Sequence, residues 1–85
     1  MEIVLLPEAA EDFKYWMKSG NKAIQKKISE LLEAIKKDPF SGIGKPESLK
    51  HNLSGKWSRR INAEHRLVYL VEDETVYIYS AKGHY

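Results

Sequence analysis

Cysteine is missing altogether from these 85 residues. Its absence excludes a disulfide framework and any zinc site built on thiolates. Long apolar runs are missing too. No stretch approaches the ~20 residues that span a bilayer, so no membrane helix is expected. The first residues, Met1 to Pro7, lack a basic leader and carry only a short apolar run, which does not read as a signal peptide. Repeats and low-complexity segments are absent. The 42% hydrophobic content suits a folded globule rather than a disordered chain. The length allows one domain, residues 1–85, and a cytoplasmic protein is the plain expectation.

The net charge is only +2, but it is unevenly spread. Residues 45–66 hold six cations (Lys45, Lys50, Lys56, Arg59, Arg60, Arg66) against two acids (Glu47, Glu64), a net +4. The rest of the chain has eight cations and ten acids, a net −2. All three arginines fall in the basic stretch. A basic block on a slightly acidic body is a plausible footprint for a polyanion, and a solvated surface is an equally plausible reading.

Hydrophobic periodicity divides the chain. Ile3 to Leu6 reads as a short buried strand ended by Pro7, which suits the first position of a helix. Ala9, Phe13, Trp16 and Met17 give that helix one apolar face, and Ser19-Gly20 stops it. Asn21 is a good N-cap for a second helix. Ile24, Ile28, Leu31, Leu32 and Ile35 form its stripe, Lys36 and Lys37 complement its dipole, and Pro39 ends it. A loop rich in glycine and proline follows over residues 40–46. Four strands are then expected: Leu49 to Leu53, Lys56 to Asn62, His65 to Val71, and Thr75 to Ala81. Their turns fall at Ser54-Gly55, Ala63-Glu64 and Glu72-Asp73-Glu74. His65 to Val71 is apolar on both faces, which marks a central strand. The order predicts an α+β fold: an N-terminal strand, a two-helix hairpin, then antiparallel strands in a four- to five-stranded sheet.

Several polar residues fall where such a sheet could gather them: Glu47 in a loop entering a strand, Lys50 beyond it, Arg60 in a strand, Arg66 opening the next, and His84 after the last. One carboxylate, one imidazole and several guanidinium groups suffice for RNA cleavage without metal. A base takes the ribose 2′-OH proton, an acid protonates the leaving 5′-oxygen, and cations stabilise the phosphoryl charge. Each residue taken alone has a plainer reading. Glu47 and Lys50 are ordinary surface residues, Arg60 decorates a sheet, Arg66 pairs with Glu64 or Glu72, and His84 belongs to a chain end. His51 and His65 read as surface or turn histidines, and with His84 they lack metal-ligand spacing. Composition and spacing alone therefore reach a small α+β domain that could bind RNA.

The stretch from Gly44 to Tyr69, GKPESLKHNLSGKWSRRINAEHRLVY, goes further. It resembles the YoeB family of bacterial toxins within the wider RelE-like superfamily. The loop DPFSGIGKPE, the aromatic first helix and the final His84-Tyr85 extend the likeness over nearly the whole chain. The resemblance implies a ribosome-dependent endoribonuclease, an mRNA interferase that cuts mRNA in the ribosomal A site without metal or cofactor. Glu47 then matches the general base, His84 the general acid and Arg66 the phosphate cation. Lys50, Arg59, Arg60 and Tyr85 match positions that line the site or bind RNA. The implied partners are the ribosome, mRNA and a cognate YefM-like antitoxin. Operator DNA is contacted only through the toxin–antitoxin complex. The resemblance leaves a homodimer open, which no feature of the sequence establishes. The chain departs from close relatives at Ser48, where proline is expected, and at Lys82-Gly83, where a bulkier residue usually precedes the histidine. A glycine there leaves the hold on His84 unspecified.

Overall fold

The computed structural model describes residues 1–83; His84 and Tyr85 lie outside the described residues. The element order is β1 (Glu2–Leu5), α1 (Pro7–Ser19), α2 (Lys22–Lys37), β2 (Glu47–Ser48), a 3-10 turn (His51–Leu53), β3 (Trp57–Arg60), β4 (Arg66–Glu72) and β5 (Thr75–Ser80). The strands form one mixed sheet in the order β1-β5-β4-β3-β2. Among the described residues β1 and β5 pair parallel, and β5–β4, β4–β3 and β3–β2 pair antiparallel. β4 is central, as its two apolar faces require.

Local chemistry sets the boundaries. Pro7 opens α1, and Gly20 closes it in the left-handed region at φ 73°. The Asn21 side chain accepts from the Ile24 N–H at 3.1 Å and caps α2. Ile24, Ile28, Leu31 and Ile35 recur at intervals of four, three and four, and all are buried. With Ala9 and Trp16 they pack on the sheet residues Leu67, Tyr69, Val76 and Ile78. Fully burying each such aliphatic side chain contributes about 1.5–3 kcal/mol. Between β4 and β5, Asp73 and Glu74 adopt φ 51° and 60°, the left-handed pair that matches strand twist in a tight hairpin.

One expected strand is corrected. Leu49 to Leu53 is not extended. The Leu49 N–H still bonds the Lys56 carbonyl at 2.9 Å, but His51 turns the chain away at φ 60°. Bonds from Leu53 N to Lys50 O and from Ser54 N to His51 O then close a 3-10 turn. A four-residue interval puts Leu49 and Leu53 on one face of a strand as well as of a helical turn, so their spacing does not distinguish the two. The edge strand on this side of the sheet, β2, is therefore the two residues Glu47 and Ser48.

A second irregularity was not expected. Tyr69 pairs with Ile78 but Val68 pairs with Ser80, so β5 carries one extra residue, Tyr79, at a β-bulge. A bulge resets which face the following residues present, and here it lies just before the chain end.

Candidate active site

Register gathers the polar residues on the sheet face opposite the helices. Glu47 pairs with Ser58, Ser58 with Val68, and Arg60 directly with Arg66. Paired residues share a face and alternate residues along a strand return to it, so Glu47, Arg60 and Arg66 lie on one side. Glu47 and Arg60 are diagonal neighbours, roughly 7–8 Å apart at Cα. Glu47 and Arg66 are two strands and two residues apart, about 12 Å at Cα for standard sheet spacings. Glu47 also borders a cleft of about 280 Å³ with Ser48, Leu49, Lys50 and His51, which brings Lys50 beside it.

Like charges directly across a ladder destabilise a sheet, so the Arg60–Arg66 pair works against stability. A short turn fixes it. The Asn62 Oδ1 accepts from Glu64 N at 2.9 Å and from His65 N at 2.7 Å, and Ile61 N bonds His65 O at 3.0 Å. The Arg66 Nη1 donates to the carbonyls of Asn62 (2.9 Å), Ala63 (3.3 Å) and His65 (3.2 Å). Three main-chain dipoles thus steer the guanidinium along the turn.

Arg59 was expected among the RNA-binding cations and is corrected. It is fully buried, on the helix-facing side of β3. Its Nε donates to Tyr69 Oη at 3.0 Å and its Nη1 to Ile43 O at 2.9 Å. Its Nη2 donates to Asp38 O at 2.7 Å and Ser41 O at 2.8 Å. Tyr69 in turn donates to Pro39 O at 2.6 Å. Burial raises the Tyr69 phenol above 10.0, partly offset by the Arg59 hydrogen bond. The Asp38 carboxylate accepts from Phe40 N (2.9 Å) and Ser41 Oγ (2.8 Å). Those two bonds, with the Arg59 charge behind them, hold it below 3.8. This cluster ties down residues 38–43 of the loop that leads to Glu47. Gly44 completes the anchor. Its carbonyl accepts from Arg60 N at 2.6 Å, and a Cβ there would sit 2.7 Å from Leu31 Cδ2 and 3.1 Å from Arg59 Cβ.

Residues 81–83 are held as firmly. Ala81 N donates to Asp12 Oδ2 at 2.9 Å and Trp16 Nε1 donates to Ala81 O at 2.8 Å. Lys82 Nζ lies 4.2 Å from the Tyr15 ring centroid. Arg66 N donates to Gly83 O at 3.1 Å, and Gly83 N donates to His65 Nδ1 at 2.8 Å. His65, read from sequence as a surface or turn histidine, is largely buried with its side chain 12% exposed. It meets Trp16 edge-on at 4.8 Å. No local signal marks this role, because its partner lies 18 residues away. The expected site residues His84 and Tyr85 fall outside the described residues. Among the described residues no group of three or more His, Asp or Glu could hold a metal ion, and no helix is long and apolar enough to cross a membrane.

Comparison with known proteins identifies the scaffold. Residues 5–85 match the family model of the YoeB-like toxin of bacterial type II toxin–antitoxin systems. The chain is 49% identical to Toxin YoeB of Escherichia coli (strain K12) over 85 residues, covering both chains completely. Among solved structures it is similar to the YoeB–YefM complex from Staphylococcus aureus, at TM-score 0.89 and 52% identity, covering 100% of this chain and 98% of the other. The YoeB dimer from the same species matches at TM-score 0.89 and 51% identity with the same coverage. The two helices, the five-stranded mixed sheet and the full-length sequence match together make this chain a member of the YoeB toxin family of bacterial type II toxin–antitoxin systems.

Proposed function

We propose that this toxin is a ribosome-dependent endoribonuclease that cuts mRNA in the A site and so stops translation. The observation that carries the reading is the shared sheet face of Glu47, Arg60 and Arg66, with the chain end bonded to Arg66 at Gly83. Glu47 removes the proton from a ribose 2′-OH. The 2′-oxygen attacks the adjacent phosphorus, and the bond from phosphorus to the 5′-oxygen breaks. His84, the residue after Gly83, protonates the departing oxygen. The products are a 2′,3′-cyclic phosphate and a 5′-hydroxyl. Arg66 neutralises charge on the phosphoryl oxygens, for which a guanidinium fork is well shaped. A gap of about 12 Å between the Glu47 and Arg66 backbones leaves room for a nucleotide between the two side chains. Lys50, Arg60 and Tyr85 line the same site. Lys45, Lys50 and Lys56 supply the rRNA contacts, and Arg59 supports the Glu47 loop instead.

A YefM-like antitoxin is the proposed neutralising partner, on the precedent of the S. aureus complex, and the dimer of that relative supports a homodimer here. Operator DNA is reached only within the toxin–antitoxin complex, and the cytoplasm, where ribosomes translate, is the proposed location. The chemistry requires the 2′-OH. Programmed ribosomes carrying mRNA with a single 2′-deoxy nucleotide at the scissile position test it. The deoxy message is expected to stay intact while the all-ribose message is cut. Equal cutting of both would rule the mechanism out.

A further inference from the structure

We propose that His65 is a positioning residue: its neutral imidazole, accepting at Nδ1, clamps Gly83 and so sets where the chain enters His84. This inference rests on the nuclease reading for its catalytic consequence and on geometry for the clamp itself. After the Tyr79 bulge, β5 ends at Ser80. Two jaws then seize the segment that follows. One is a single face of α1, where Asp12 and Trp16 bond the N–H and carbonyl of Ala81, and the Tyr15 ring underlies Lys82. The other is the start of β4. There the Arg66 N–H bonds the Gly83 carbonyl, as a ladder would. The reverse bond of a ladder pair is not made to main chain. Gly83 sits at φ 78°, and its N–H goes to the His65 ring at 2.8 Å. The nearby His65 carbonyl already accepts from Ile61 N, Asn62 N and Arg66 Nη1.

The bond defines the state of the ring. A backbone N–H can only donate, so Nδ1 carries no proton and the neutral ring carries its proton on Nε2. Glu64 Oε1, 3.7 Å from Nε2, favours that arrangement. The ring is set in turn by its edge-on contact with Trp16, the side chain that also holds Ala81. His65 thereby joins the two jaws. Gly83, the residue before His84, is itself bonded through both its N–H and its carbonyl. It lets the chain leave the strand in a left-handed turn while His65 supplies the rigidity.

Two measurements test this on the full chain. Long-range ¹H–¹⁵N NMR of the wild-type imidazole should show the Nε2–H tautomer, with slowed exchange of the Gly83 amide. A ring protonated at Nδ1, or an unprotected Gly83 amide, overturns the clamp without any variant. Cleavage on programmed ribosomes is then compared for wild type, His65→Phe and His65→Asn. Phenylalanine keeps a ring against Trp16 and removes the acceptor; asparagine returns an acceptor near Nδ1. Displacing a reacting group by about 1 Å can cost 10²-fold. His65→Phe is therefore expected to lower single-turnover cleavage by roughly 10- to 100-fold and to unprotect Gly83. His65→Asn should restore most of both. Wild-type cleavage by His65→Phe overturns the positioning role. Should the wild type itself leave mRNA intact, the nuclease reading fails, and the tautomer and Gly83 exchange still decide the clamp.

Discussion

Arg59 and Arg60 are adjacent in sequence and opposite in physical situation. Arg59 is buried and gives its donors to three carbonyls and a phenol, whereas Arg60 is exposed opposite Arg66. Removing the guanidinium at Arg59 takes a donor from each of these acceptors; water can reach the carbonyls of the exposed Asp38, Ser41 and Ile43, so the loss amounts to one or two unsatisfied groups at about 1–3 kcal/mol each. Arg59→Met is expected to destabilise by about 2–4 kcal/mol, a fall in Tm of roughly 10–25 °C for a domain this size. Arg60→Gln relieves a like-charge pair, so Tm should hold or rise slightly while cleavage falls roughly 10-fold or more. Thermal melts beside ribosome cleavage separate the two roles, and equal Tm losses would contradict them. Titration reports the same cluster. The Asp38 carboxyl is held below 3.8 by the Phe40 N–H and the Ser41 hydroxyl. Its contribution to stability is complete above about pH 4 and is lost as pH falls through the depressed value. The Tyr69 phenol is raised above 10.0 by burial, so its contribution is complete below pH 10 and is lost as pH rises through the raised value. Denaturant midpoints from pH 7 to 11 should therefore fall more steeply for wild type than for Tyr69→Phe.

Among the elements, the helices were legible because their signals are local: a stripe at Ile24, Ile28, Leu31 and Ile35, an Asn21 cap, and a Gly20 stop. The central place of β4 was legible from its apolar faces. The strand expected over Leu49 to Leu53 is absent because a left-handed His51 redirects the chain between them, and a histidine gives no local signal of that conformation. The Tyr79 bulge has no glycine or proline to announce it. The burial of Arg59 was written in strand parity, which places it between Trp57 and Ile61 on the core-facing side, but a charged side chain there reads first as surface. The loop before β2 carries the sharpest test at this scale. Gly44 has φ 84° and no space for a Cβ. Gly44→Ala forces the chain into a left-handed alanine and pushes on Leu31, at a combined cost of about 2–4 kcal/mol. Its denaturant midpoint should drop with an unchanged m-value. Gly20→Ala meets nothing within 4 Å and should lose only the smaller backbone part.

For the molecule as a whole, a net charge of +2 conceals a basic 45–66 stretch, of which Lys45, Lys50 and Arg60 are exposed and Arg59 is buried. Binding to an RNA surface through that stretch must weaken with salt, by a slope of roughly 0.7–0.9 per phosphate contact in log–log terms. Lys45→Gln and Lys50→Gln, at exposed positions, should each reduce the slope of ribosome binding by about that amount. A slope unmoved by either would argue against rRNA contact through this stretch. The candidate site was legible as a set of residue types, and the register supplied the assembly: Arg60 opposite Arg66, Glu47 on the same face, and the chain end bonded beside them. In the proposed reaction Glu47 acts as base and His84 as acid. The most direct measurement maps mRNA 5′ ends on translating ribosomes with wild type, Glu47→Gln and His84→Gln. New ends at the A-site codon are predicted for wild type, reduced by about 10²–10⁴ in rate for each variant. Translation arrest by wild type without new ends, or cleavage by His84→Gln at the wild-type rate, would contradict the account.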